Sequence, residues 1–89
     1  LELILNEGHK AIVFSQFTTY LDIIQDKIVG QAWNYARIDG SQTMKTRQEQ
    51  VEKFQNGKAS VFLISLKAGG VGLNLTAASY IFLMDPWWN

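Results

Sequence analysis

The chain has 89 residues, 47% of them hydrophobic, with eight lysines plus arginines against eight aspartates plus glutamates. This length fits one small domain, the apolar share argues against disorder, and zero net charge excludes a global basic field, so any polyanion site must be local. The lack of cysteine excludes disulfides and thiolate metal sites, the single histidine, His9, cannot build a metal centre alone, and no apolar run reaches the roughly 20 residues of a membrane helix.

Leu1–Asn6 reads as the tail of a preceding helix that ends near Gly8. KAIVFS (Lys10–Ser15) is a short run rich in branched residues and reads as a buried strand. In FTTYLDIIQDKIVG, Phe17, Tyr20, Leu21, Ile24 and Ile28 share one helical face, with Gly30 as the expected stop. YARID (Tyr35–Asp39) is a second strand, ended by Gly40. TMKTRQEQVEKFQNG is a second helix. Thr43 is its expected N-cap, Met44, Val51 and Phe54 form its apolar stripe, and Asn56-Gly57 ends it. VFLIS (Val61–Ser65) and YIFLMD (Tyr80–Asp85) are the third and fourth strands.

The alternation predicts an α/β fold, a parallel sheet with helices on both faces. Ligands of such sheets bind at the carboxyl ends of the strands. That shortlists Ser15 to Thr18, Asp39 to Gln42, Ser65 to Gly70, and Asp85 to Asn89. Glycine-rich backbone can cradle a phosphate, and Ser65 and Lys67 add a hydroxyl and a positive charge to Gly69, Gly70 and Gly72. No G-K-[ST] follows these glycines, and GGVG misses the G-x-G-x-x-G fingerprint. The plainer reading is a turn that allows tight packing. SQFT at a helix start is an anion site, or else Ser15 simply caps the helix. Asp39 is expected to pair with Arg47, as a structural bridge or in function. Trp87 and Trp88 either stack on bases or pack into a core. His9 reads as an exposed residue before the first strand. No acid, base and nucleophile are arranged for hydrolysis, so no catalytic or metal-ligating residue is assigned.

KAIVFSQFTTYLDII, RIDGSQTMKTRQEQVEKFQ and VFLISLKAGGVGLNLTAASYIFLMDPWWN together resemble the second RecA-like lobe of Swi/Snf-type ATPases. These are helicase-superfamily-two DNA translocases with a P-loop-NTPase-like fold. The resemblance runs from Lys10 to Asn89. It implies that ATP and Mg²⁺ bind between this lobe and a first RecA-like lobe of the same chain, with duplex DNA as the track. It implies DNA-backbone contacts for Ser15, Gln16 and Thr18, for Gly40, Ser41 and Arg47, and for Ser65, Leu66 and Lys67. Trp88 is implied beside the DNA, and Gly70, Gly72 and Asn74 are implied at the ATP cleft. Met44 stands where several relatives have glutamine. Family members continue past DPWWNP to a helix with arginine fingers, so the 89 residues read as part of a lobe excised from a longer protein, inactive by itself. Chromatin or transcription proteins are further expected partners. The expected location is intracellular, the nucleus in a eukaryote and the cytoplasm in a prokaryote, with no membrane attachment. The alternatives are a stand-alone α/β nucleic-acid or nucleotide binding module without catalysis, and a flavodoxin-like interaction domain.

Overall fold

The computed structural model describes residues 5, 7–68 and 78–83. Along the chain run β1 (Ala11–Ser15), α1 (Thr18–Gly30), β2 (Tyr35–Ile38), α2 (Met44–Gln55), β3 (Val61–Ser65), one 3₁₀ turn (Leu66–Ala68) and β4 (Tyr80–Leu83). Leu5 is helical and buried, and the N–H of Gly8 closes on its carbonyl (3.1 Å).

The four strands form one parallel sheet in the order β2-β3-β1-β4. Successive side chains of a strand point to opposite faces, and β3 shows this cleanly. Phe62 and Ile64 join Ile12, Ile38 and Phe54 on the α2 side. Val61 and Leu63 join Val13, Leu21 and Ile28 on the α1 side. Helices therefore cover both faces, as the uninterrupted apolar runs predict. β4 departs from that pattern: Phe82 packs into the α1-side cluster, but Ile81 is 68% exposed. The reason is position, because among the described residues β4 is an edge with β1 as its neighbour. Met44 departs too. It is 71% exposed, since α2 meets the sheet only from Arg47 onward, through Gln50, Val51, Lys53 and Phe54.

Thr43 caps α2 as expected, its hydroxyl accepting from the Thr46 N–H (3.2 Å). Both helices then end in the same double hydrogen bond. In α2 the N–H of Lys58 reaches the Lys53 carbonyl and that of Gly57 reaches Phe54, with Gly57 at φ 77°. In α1 the N–H of Trp33 reaches Ile28 and that of Ala32 reaches Val29, and Trp33 packs against the cluster holding Ile28. This is the Schellman arrangement, which places one residue in the left-handed region. Gly30 does not serve that end; it is the last helical residue, and Ala32 takes the left-handed position at φ 62°. A Cβ there costs roughly 1–2 kcal/mol, against about 0.4–1 kcal/mol of extra unfolded-state entropy for glycine. Ala32→Gly is therefore expected to stabilise the fold by about 0.5–1 kcal/mol. A denaturant midpoint that stays put or falls overturns this account of the α1 terminus.

β2 lies at the other edge, and side chains close it. Lys53 Nζ donates to the Tyr35 carbonyl (2.7 Å), and Gln50 Oε1 accepts from the Arg37 N–H (3.0 Å). The Gln42 amide then donates to the Arg37 carbonyl (2.9 Å) and accepts from the Asp39 N–H (3.3 Å). Side chains thus stand where another strand's backbone would pair, which protects an edge from unwanted strand addition. The same contacts fix the turn after β2.

Candidate functional site

β1 and β3 lie side by side at the centre of the sheet, yet their next strands, β2 and β4, lie at opposite edges. A crevice opens where the strand order reverses, outside the carboxyl ends. Here those ends are Ser15 and Ser65, paired in register and almost completely buried. Each hydroxyl accepts the backbone N–H two residues on, from Phe17 (3.0 Å) and Lys67 (3.3 Å). Such local bonds turn the chain out of a strand. Ser15 is not the N-cap of α1: Phe17 holds that position and makes no side-chain cap hydrogen bond.

A cleft of about 440 Å³ opens here. Thr18, Asp39, Gly40, Ser41, Ser65 and Lys67 line it, six of the residues that the strand-end shortlist contains. Asp22 and Arg37 complete the lining. Gln16 and the exposed Leu66 lie at the same strand ends without lining the cleft. Gly70, Gly72, Asn74 and Trp88, with Gly69, Asp85, Pro86 and Trp87, fall outside the described residues.

The Asp39 pairing differs from expectation. Arg47 Nη2 donates to the Asp39 backbone carbonyl (3.3 Å), while Arg37 Nε holds the carboxylate (3.2 Å). The reason is strand geometry: residues 37 and 39 are two apart and share a face, whereas Arg47 reaches the turn from α2. Ser41 gives both its N–H (3.0 Å) and its hydroxyl to Asp39 Oδ1. The Ser41 hydroxyl, with its N–H and Arg37, holds the Asp39 carboxyl below its ordinary value of 3.8 against the opposing effect of burial. Asp39 is thus a carboxylate at pH 7, and it shapes the turn that presents Gly40 and Ser41.

Arg37 is the residue that sequence reasoning missed. Its Nη1 also meets Asp22 Oδ1 (2.7 Å) and Gln25 Oε1 (3.0 Å) on α1. One side chain so ties the helix after β1 to the turn after β2. The available signal was spacing: Arg37 and Asp39 at strand period, and Asp22 and Gln25 on one helix face. Lys67 Nζ lies 5.8 Å from the centre of the Phe17 ring and forms no ion pair among the described residues. The cleft therefore carries two cations, two carboxylates, three hydroxyls and the positive end of a helix. Both carboxylates pair with Arg37, which leaves Lys67 as the cation of the lining with no ion pair among the described residues. Among the described residues no group of His, Asp and Glu is arranged to hold a metal ion.

The family described as helicase conserved C-terminal domain matches residues 1–89. The chain is 51% identical over 85 residues to the DNA repair protein rad8 of Schizosaccharomyces pombe, covering 94% of this chain and 8% of that protein. It is 52% identical over 81 residues to the ATP-dependent helicase rhp16 of the same organism, covering 90% and 9% respectively. In structure it is similar to the Sulfolobus solfataricus SWI2/SNF2 ATPase core in complex with dsDNA, with a TM-score of 0.80 and 30% identity. That match covers 99% of this chain and 19% of the solved one. The chain thus spans less than a tenth of the length of these two curated relatives.

Proposed function

This chain belongs to the helicase conserved C-terminal domain family, in its Swi2/Snf2 branch, and from that premise we propose that it is the DNA-gripping second lobe of an ATP-driven duplex-DNA translocase. What supports the reading most is the cleft. It gathers Thr18, Ser41, Ser65 and Lys67 from three separate strand ends into one polar lining. Hydroxyls and a lysine suit a phosphodiester: they fix position on the backbone and read no base.

On this reading Gly40 lets the backbone approach closely, and Lys67 supplies the charge. Ser15 and Arg47 act from behind. Ser15 bends the chain toward Thr18, and Arg47 braces the turn through the Asp39 carbonyl. Gln16 and Leu66 flank the track, and Trp88 stands beside the DNA. Gly70, Gly72 and Asn74 face ATP and the first lobe. Mg²⁺ belongs with the nucleotide, and no step is assigned to it in the cleft described above. Chromatin or transcription proteins are the further partners, and the protein works where the DNA is, the nucleus in a eukaryote.

The test is ATP turnover in the full-length protein, with and without duplex DNA. Duplex DNA is expected to stimulate hydrolysis irrespective of sequence, while the 89-residue chain alone hydrolyses none. DNA without effect on the full-length protein, or turnover from the 89 residues alone, sinks the proposal.

A further inference from the structure

Arg37 is placed for more than bracing. A guanidinium has five N–H donors. Three are engaged, by Asp39, Asp22 and Gln25, and the two on Nη2 have no protein acceptor among the described residues. The side chain lines the same cleft as Lys67 and Ser41.

Its two carboxylate partners are unequal. Asp39 is 18% exposed and is itself held by Ser41, so it anchors the Nε edge from within the protein. Asp22 is 62% exposed and, among the described residues, binds Arg37 alone. The Arg37 side chain is 14% exposed, so this pair is open to solvent and to screening by salt at its Asp22 end. A phosphate offers a guanidinium two oxygens in a matching fork, a stronger partner than one solvated carboxylate.

We propose that Arg37 is a further backbone-phosphate contact of this cleft, and that Asp22 holds it in waiting by occupying Nη1 until a phosphate takes that place. The inference rests on the DNA reading above and deepens it. Asp22 then works against DNA affinity: each binding event must first break its pair with Arg37. Asp39 keeps the guanidinium aimed into the cleft while the exchange occurs.

The experiment is a fluorescence-anisotropy titration of duplex DNA with the full-length protein, at salt from about 50 to 200 mM. Asp22→Asn is expected to bind about two- to five-fold tighter, the range that releasing an ion pair open to solvent at its carboxylate end allows. Its log–log salt slope should stay close to the parent's, because Arg37 meets the phosphate in both, whereas Arg37→Gln should lose about 0.9, one phosphate's worth. Asp26→Asn, four residues along α1 and likewise exposed, removes the same charge without the pair and should gain less. Arg37→Gln should weaken binding, and Asp22→Asn added to it should restore nothing. If Asp22→Asn and Asp26→Asn behave alike, or if the gain survives in the Arg37→Gln background, the pair is only a structural brace and the inference fails. Should Arg37→Gln melt early, the comparison of the two exposed aspartates still decides. Lys67→Ala separates the layers. If it weakens binding while Asp22→Asn is silent, this inference falls alone. If both are silent, the DNA reading of the cleft falls with it.

Discussion

Phe54→Ala is expected to lower the stability of this lobe by about 3–5 kcal/mol. Phe54 is fully buried, the single such residue on α2 among those described, and its ring centre lies 5.3 Å from that of Phe62. Around it stand Ile12, Ile38 and Ile64, all nearly inaccessible, so the cavity has little freedom to collapse. A domain of this size has only about 5–10 kcal/mol to lose. The damage should spread beyond packing. Gln50 and Lys53 close the β2 edge from the same helix, and Arg47 braces the Asp39 turn. If Ser41 meets a phosphate as proposed, loosening α2 is therefore expected to weaken DNA binding without removing any phosphate contact. Denaturant unfolding, run beside the DNA titration, checks both parts. Met44→Ala, on the same helix but 71% exposed, should stay within about 0.5 kcal/mol of the parent. Equal shifts for the two substitutions would mean that α2 is not anchored through Phe54.

Lys67→Ala in the full-length protein is expected to weaken duplex-DNA binding about five- to ten-fold near 0.1 M salt, equally for unrelated sequences. Lys67 lines the cleft and forms no ion pair among the described residues, so its charge is available to a phosphate. Each phosphate neutralised contributes about 0.9 to the salt slope on duplex DNA, and that slope should fall by this amount. Lys67→Arg is expected to keep most of the affinity, because charge and not fork geometry is what this position needs. The melting temperature should hardly move, since the side chain is exposed. Loss confined to one DNA sequence, or an unchanged slope, would falsify the phosphate role and point to base readout or to packing on Phe17.

Much of the fold was legible in the residues. The branched runs at residues 11–15 and 61–65 and the helical stripe of Leu21, Ile24 and Ile28 are local patterns, and local patterns survive into the structure. The Thr43 cap and the Gly57 terminus were legible for the same reason, since their hydrogen bonds close within a few residues. The end of α1 was not, because Ala32 shows no preference for the left-handed backbone that it adopts. Strand ends could be shortlisted as ligand sites from topology, and six of the shortlisted residues line one cleft.

What the sequence determined by itself is the order of elements, the apolar stripe of Leu21, Ile24 and Ile28 on α1, and the family to which those residues belong. Only the tertiary structure decided the strand order β2-β3-β1-β4, which sets Ser15 beside Ser65. It alone decided that Asp39 answers to Arg37, that Asp22 and Gln25 join them, and that Gln42, Gln50 and Lys53 close an edge. The physical reason is range. Periodicity and capping act over one or two turns of backbone, whereas strand order and ion-pair choice depend on which distant segments pack together. A formal charge marks a residue as needing a partner and says nothing of which partner the fold brings within reach.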